Sequence, residues 1–266
     1  MKPYVKRRKT DAADAEAICE AVTRPMMRFV PVQSPDQQAI LSMHRTRSLL
    51  VKQRTQSTNM MRGLLAEFGI NIPEGLERAL LLARQIVAGE SPSVPAAAIE
   101  MVGMLAQQAL DTHSRLQEID RKLGALQKSD EMAKRIATIP GIGPVGATAL
   151  AAAVTDPGQF RSGRQFAAWL GLTPLRNSSG GKERLGGISK MGDKYLRRLF
   201  VIGATSLVRR ARHKPETADP RLVGLLVRKP VRVATVAMAN KMAGIVWAIM
   251  TRGKVYERSH APMLAG

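Results

Sequence analysis

Residues 134–190, KRIATIPGIGPVGATALAAAVTDPGQFRSGRQFAAWLGLTPLRNSSGGKERLGGISK, decide how this chain is organised. The short apolar segment 132–139 leads into a turn, Pro140-Gly141-Ile142-Gly143-Pro144, and the alanine-rich segment 147–154 follows it. Proline and glycine mark turns, and the apolar segments on either side are typical of helices. The sequence therefore predicts a helix-hairpin-helix.

The glycines of this turn favour contact with a polyanion. Gly141, Gly143 and Gly146 carry no side chains, so the backbone can approach a phosphate closely. The N–H groups that open the second helix would point at that phosphate with the positive end of the helix dipole. The alternative is a Gly-Pro turn that only joins two packed helices.

A second glycine-rich strip runs from Asn177 to Gly192 and contains the serine pair Ser178-Ser179. A serine hydroxyl is a weak nucleophile at its own pKa, so it needs a base or a metal, together with cations that stabilise a phosphoryl group. The cations of the strip are Lys182, Arg184 and Lys190. From the residues alone, a flexible, solvated Ser/Gly loop remains the alternative.

Two stretches carry a resemblance to a known family. QFAAWLGLTPLRNSSGGKERLGGISKMGDKYLRRLF, with IPGIGPVGATALAA before it, resembles the C-terminal domain of the DEDD-type insertion-sequence transposases, relatives of the Piv invertases and of the bridge-RNA-guided recombinases. VKRRKTDAADAEAICEA, near the start, is similar to the end of that family's catalytic domain. The resemblance implies a RuvC-like domain with four acidic metal ligands and a C-terminal domain that supplies a serine nucleophile.

The resemblance assigns roles to particular residues. It implies that Ser179 is the nucleophile, with Ser178 as its rival, and that Asp11 and Asp14 are the last two acids of the metal site, which would bind Mg²⁺. Three apart on a helix, these two carboxylates share a face. The residues alone leave a plainer alternative, in which Asp11 caps the helix and Asp14 complements its dipole.

The first aspartate and the glutamate of the acidic set are expected on strands upstream of Met1. Two carboxylates rarely hold a catalytic metal pair. The sequence thus predicts a DNA transposase or recombinase whose catalytic domain is represented here only by a remnant, with a truncated, catalytically inactive DNA-binding protein as the alternative.

The charge of the chain favours the same partner. Its 266 residues carry 41 lysines and arginines against 21 acids, a formal net charge of +20, and the sequence pI is about 11.0. Such self-repulsion is tolerated where a polyanion neutralises it, so DNA is the expected partner. We expect a basic helix from Asp193 to His213 to contribute phosphate contacts through Lys194, Arg197 and Arg198.

Apolar periodicity predicts a mainly α-helical fold. Long helices at about 36–68 and 96–127 are expected to form an antiparallel coiled-coil hairpin, and a last apolar helix is expected at 231–250. The predicted domains are a remnant of an RNase H/RuvC-like α/β domain (1–34), the helical hairpin (35–129), the C-terminal transposase domain (130–257) and a tail (258–266).

The remaining expectations concern location and assembly. The single Cys19 allows no intrachain disulfide and is expected in a helix core. No apolar run long enough for a membrane span is evident, so the sequence predicts a soluble cytoplasmic protein associated with the nucleoid. Coiled coils and paired DNA ends favour a dimer or tetramer, and the resemblance allows a guide or structured RNA as a further partner.

Overall fold

The computed structural model describes residues 10–25, 31–90, 93–179 and 182–257. They form two compact units, 1–32 and 33–266. The prediction of a mainly helical fold is confirmed, because the described residues form ten α-helices and two β-strands. In chain order these are α1 Asp11–Val22, α2 Pro35–Glu67, α3 Leu76–Val87, α4 Ala96–Ser129, α5 Glu131–Ala137, α6 Pro144–Ala153, α7 Gly163–Trp169, β1 Pro174–Ser179, β2 Lys182–Ile188, α8 Lys194–His213, α9 Pro220–Arg228 and α10 Val231–Arg252.

The first unit is represented by helix α1. Its N-cap is Thr10, whose side chain accepts a hydrogen bond from the Ala13 N–H, so the alternative in which Asp11 is the cap is wrong. Cys19 is exposed, which contradicts its expected place in a core. The buried side of α1 is instead formed by small residues, Ala17 and Ala21.

Helices α2 and α4 lie side by side in opposite directions. Arg47 pairs with Asp120 and Arg54 contacts His113, so residue numbers rise along one helix as they fall along the other. Ser34 and Gln37 form a capping box that starts α2. At the far end of the pair, α3 packs against α4 over a small core that includes Met61, Leu65, Ala83 and Val102.

The main core lies where α5, α6, α7, α8 and α10 meet. Its largest buried side chains include Phe166, Leu170, Leu196 and Met242. Helices α5 and α6 are joined by the segment 138–143, whereas the sequence predicts a turn at 140–144. Helix α10 runs through this core and buries eight residues, while the Trp247 indole N–H donates to the carbonyl oxygens of Pro157 and Phe160.

Helix α10 also corrects the expectation that no segment could cross a membrane. By length and composition alone, it is the one helix of the described residues that is long and apolar enough to do so. A core helix of a globular protein passes the same test, and this one is packed against α7, α8 and α9.

The serine strip is not the flexible loop that its composition predicts. Strands β1 and β2 pair antiparallel, with Arg176 opposite Leu185 and Asn177 opposite Arg184, and the register shifts between positions 174 and 176. The Gly180-Gly181 pair separates the strands in the sequence, a two-residue spacing that is typical of a hairpin. The strip therefore forms a β-hairpin that leaves the helical core between α7 and α8.

Candidate functional site: the serine hairpin and the turn before helix α6

The two candidate serines lie near the end of strand β1. In the antiparallel ladder Ser178 pairs with Glu183, and Ser179 pairs with Lys182. Residues 180–181 and the side chains of 176–185, including those of both serines, Lys182 and Arg184, lie outside the described residues. The backbone nevertheless brings the serine pair and these two cations together in the distal half of one hairpin.

The base of this hairpin is a close joint between two backbone segments. Gly171 (φ +72°) precedes β1 and Gly192 (φ +79°) follows β2. A Cβ atom at Gly171 would lie 2.1 Å from the carbonyl oxygen of Met191, and one at Gly192 would lie 1.9 Å from that of Trp169. Neither position can take a side chain without moving backbone, so the two glycines allow the segments to touch.

The side chain of Arg197 closes the same joint. Its Nη1 donates to the carbonyl oxygens of Leu170, at 3.0 Å, and Met191, at 2.8 Å. Lys190, exposed and at φ +55°, continues the contact because its N–H donates to the carbonyl oxygen of Gly171. Charged donors make strong hydrogen bonds, so the strand ends are fixed relative to the first turn of α8. Arg197 thus has a structural role, and its predicted DNA contact stays a prediction.

The turn before α6 places its three glycines in different surroundings. Gly141 (φ +87°) faces helix α8, and its added Cβ would lie 2.9 Å from the carbonyl oxygen of Gly203. Gly143, the N-cap of α6, is exposed with open space around it, whereas a Cβ added at Gly146, in the first turn of α6, would lie 3.1 Å from the Ile142 side chain. Close packing therefore explains Gly141, and Gly143 is the glycine whose backbone faces outward.

Between this turn and α8 lies a groove of about 310 Å³. Its walls are mostly apolar, with Leu196, Leu199 and Ile202 on the α8 side and Arg47 among the lining residues. Lys194 and Arg198 are exposed on the first two turns of α8. The exposed glycine backbone and these predicted phosphate-binding cations therefore lie on elements that pack against each other.

Helices α2, α6 and α8 share a buried polar cluster. The His44 ring bonds the Tyr195 hydroxyl through Nδ1, at 2.9 Å, and the Thr148 hydroxyl through Nε2, at 3.1 Å. Burial, followed by the charge of Arg47, lowers the pKa of His44 to about 4. Neutral His44 therefore ties the long helix α2 to the start of α8, just after the serine hairpin.

Arg198 belongs to the same junction. Its Nη2 donates to the Ser48 hydroxyl at 3.2 Å, and its guanidinium lies 5.3 Å from the centroid of the Tyr195 ring. Burial is the main cause that raises the pKa of Tyr195. Arg198 remains exposed, so a contact with DNA phosphate stays a prediction for it, as for Lys194.

Comparison with known proteins decides the family. The sequence model of the IS116/IS110/IS902 transposase family matches residues 133–219, and a DEDD-type IS110 transposase model matches residues 1–70. A probable family 20 transposase of Pseudomonas aeruginosa is 47% identical over 96% of this chain and 76% of its own length. The chain belongs to the IS110/IS116 family of DEDD-type transposases.

Other relatives agree with this assignment. A putative transposase of Sinorhizobium fredii is 46% identical over 97% of this chain and 66% of its own length. The transposase for insertion sequence element IS1328 of Yersinia enterocolitica is 39% identical over 97% of this chain and 76% of its own length. The chain thus spans 66% to 76% of the length of these relatives. Membership in the family implies DNA binding and, in general, use of a divalent metal.

In this transposase, Asp11 and Asp14 offer only part of a metal site. Both are exposed in the first turn of α1, three residues apart, so two carboxylates share one face. Carboxylate oxygens suit a hard divalent cation, but such ions take six or more ligands. The described residues contain no group of three or more metal-binding side chains. The pair fits two ligands of a metal site and not a whole site.

Sequence reasoning missed the parts of this transposase that hold the serine hairpin in place. Gly171 is one of these, because its positive φ is visible only in the folded chain. The contacts of Arg197 with two backbone carbonyls give no sequence signal either. His44 could be recognised only as a lone polar residue on the apolar face of a long helix, since its partners lie about 100 and 150 residues away.

Proposed function

We propose that this transposase transfers phosphoryl groups on DNA, with the Ser179 hydroxyl as nucleophile and Ser178 as its rival. The serine oxygen would form a bond to a DNA phosphorus atom while the bond from that phosphorus to a strand oxygen breaks. The hydroxyl proton would pass, through a base or solvent, to the departing oxygen. The observation that carries the proposal is the family match over residues 133–219, which includes the whole serine hairpin.

The geometry of the hairpin supports this role. A nucleophile gains most when it is held in position before the reaction, because orientation need not be acquired during the step. The joint at Gly171, Gly192 and Arg197 fixes the base from which both strands extend. Lys182, Arg184 and Lys190 lie on or directly after β2, so we expect them to contact the phosphate that is attacked.

Mg²⁺ is the metal that we propose for the DEDD portion, with Asp11 and Asp14 as two of its ligands. The metal would polarise phosphate oxygens when bound. The carboxylates of the chain would orient it through oxygen contacts, with further ligands beyond those that the described residues provide.

DNA would bind across the turn before α6 and the first turns of α8. Gly143 exposes backbone there, and Lys194 and Arg198 provide cations beside it. We further propose a homodimer or homotetramer on paired DNA ends, with a guide or structured RNA as an additional partner, acting in the cytoplasm at the nucleoid. The net charge of +20 supports a nucleic-acid partner of either kind.

A second function rests on the incomplete acidic set. Asp11 and Asp14 provide two carboxylates, and the described residues contain no larger group of metal ligands. The second candidate function is therefore DNA binding without catalysis. The two functions differ in one measurable product, a covalent link between serine and DNA.

The test uses a chimera. This chain is joined to the part of the Pseudomonas aeruginosa relative that it does not span. With Mg²⁺ and duplex DNA, we expect a protein–DNA adduct that Ser179→Ala abolishes while DNA affinity changes less than about twofold, because the lost hydroxyl is the attacking atom. Asp11→Asn should abolish the adduct by weakening metal binding.

Ser178→Ala is the matched control and should retain the adduct. An adduct that survives Ser179→Ala and disappears with Ser178→Ala would identify the rival serine. An adduct insensitive to both serines would refute the proposed mechanism, and tight DNA binding without any adduct would favour the non-catalytic function.

A further inference from the structure

Residues 227–233, VRKPVRV, form an exposed corner where α9 ends and α10 begins. We call this segment the basic corner. Three of its side chains are apolar and exposed, namely Val227 at 83%, Val231 at 42% and Val233 at 52%. Its three cations, Arg228, Lys229 and Arg232, are exposed as well. Single exposed apolar residues are ordinary, but three exposed valines interspersed with three exposed cations within seven residues form a mixed apolar and basic surface.

In the part of the chain that the structure describes, no carboxylate neutralises the charge of the corner. No acidic residue occurs between Asp219 and Glu257. Asp219 is itself engaged, because its carboxylate pairs with the Lys241 ammonium at 2.6 Å. Among the described residues, none of the three corner cations has a carboxylate within ion-pair distance. The corner therefore presents free positive charge to a partner.

The corner is also fixed in shape. Lys229 and Pro230 are the only residues between the two helices. Lys229 is extended, and its N–H donates to the carbonyl oxygen of Leu225 to end α9. Beneath it, Leu222 is buried against α8 in a small core with Val208 and Ala211. Because the backbone of the corner is already held in this shape, it loses little backbone conformational entropy when it binds.

We propose that the basic corner contacts duplex DNA at the minor groove, in addition to the surface at α6 and α8; this inference rests on the proposed function. The walls of the minor groove are deoxyribose rings edged by phosphates, so apolar side chains can contact the sugars while neighbouring cations contact the phosphates. The corner provides both kinds of side chain, because exposed valines and exposed cations lie within the same seven residues. A protein partner would need a complementary acidic surface, whereas DNA provides the negative charge on both sides of the groove.

The corner is separate from the surface at the turn. Gly203 contacts the turn at Gly141, and Met242 of α10 lies beside it, since the Met242 Cε would be 3.2 Å from a Cβ added at Gly203. Val231 is eleven residues earlier on the same helix, which corresponds to about 16 Å along its axis. Two surfaces at this spacing would contact one duplex at more than one point.

Three variants of the full chain test the corner, each measured for affinity to a 30-base-pair duplex over a series of salt concentrations. Lys229→Gln/Arg232→Gln should make the log–log salt slope shallower by about 2, because two phosphate contacts are lost. Val227→Ser should weaken binding about fivefold without changing the slope, since it removes apolar contact and no charge. Arg115→Gln/Arg121→Gln, at two exposed positions of α4, removes the same charge elsewhere and should leave the slope unchanged.

Circular dichroism melting should match the wild type for all three, because every replaced side chain is exposed. An unchanged salt slope in the corner variant, or an equal change in the α4 control, would overturn the inference. Loss of self-association with unchanged DNA affinity would also overturn it, in favour of a second copy of the chain as partner. If the wild type failed to bind DNA, the proposed function would be refuted. If the wild type bound DNA and the corner variants bound it equally well, only the inference about the corner would be refuted.

Discussion

At the scale of single residues, Arg197 shows that a cation predicted from composition to bind DNA can instead stabilise the fold. Its place in a basic helix suggested a phosphate contact, yet its Nη1 donates to two backbone carbonyls at the base of the serine hairpin. If Arg197 bound a phosphate instead, those carbonyl oxygens would lose their charged hydrogen-bond donor at the close backbone joint. Lys194 and Arg198, which are exposed in the first two turns of the same helix, are better candidates for contact with DNA phosphate.

Gly192→Ala should destabilise the chain by about 3 kcal/mol or more, because the new Cβ would meet the carbonyl oxygen of Trp169 at a positive φ. Gly187→Ala, in the same hairpin but with no atom within 4 Å of its added Cβ, should change the free energy of unfolding by less than about 0.5 kcal/mol. Urea denaturation measures both. Equal stabilities would mean that the joint is not held as described.

His44 should make stability depend on pH in mildly acidic solution. Its pKa is about 4 in the folded chain and near 6.5 when unfolded, so between these values the unfolded state binds more protons and stability falls as the pH is lowered. The slope from this one group should approach about 1.4 kcal/mol per pH unit. Above pH 6.5 the contribution is fully present, because His44 is neutral in both states.

Urea denaturation between pH 7 and pH 4 provides the measurement for His44. His44→Gln should remove this part of the slope, since glutamine does not titrate. His213→Gln, at the exposed end of α8, is the control and should follow the wild type. Parallel curves for the wild type and His44→Gln would contradict the assignment.

At the scale of elements, helices could be predicted from the sequence and the β-hairpin could not. The two long helices begin and end within two residues of their predicted bounds, because apolar periodicity, the Ser34 cap and Gly69 are all local signals. Residues 174–188 contain Asn, Ser, Gly and Lys, which are poor strand formers, so their pairing depends on contacts across the ladder. The Gly180-Gly181 spacing was the one local signal for a hairpin.

The candidate site was predictable to a similar extent. The serine pair and the cations of the strip could be named from the sequence, and the fold brings their backbones together. The joint that holds them could not, because it consists of contacts of the chain at the end of α7 with the segment before α8 and with the Arg197 side chain. The prediction that Cys19 lies in a core was wrong, because the buried side of α1 is formed by Ala17 and Ala21. Which side of a short helix is buried depends on contacts that the sequence does not show.

The turn before α6 gives an element-scale prediction. Gly143→Val should weaken DNA binding about tenfold, equal to about 1.4 kcal/mol, by covering exposed backbone, and the fold should persist because Gly143 has open space and an ordinary φ of −90°. Gly103→Val on α4, also with open space, is the control and should bind DNA normally. Fluorescence anisotropy with a helicity measurement would settle the matter, and unchanged affinity would make the turn purely structural.

At the scale of the whole molecule, the net charge of +20 should dominate the affinity for DNA. Neutralisation of even six phosphates implies a slope of about −5 when the logarithm of the association constant is plotted against that of the salt concentration. The affinity should depend little on DNA sequence, because phosphate contacts carry no base information. A slope shallower than about −2 would contradict an extensive phosphate interface.

The contact between Gly141 and Gly203 restricts how the chain can change by mutation. A Cβ at Gly203 would lie 2.2 Å from the carbonyl oxygen of Gly141, so the obstacle to a larger residue is main chain on both sides. No side chain exists at either position that could be shortened to make room. In a genetic selection that begins with Gly203→Ala, suppressors should therefore be true revertants or changes elsewhere that let the turn shift, and none should arise at position 141.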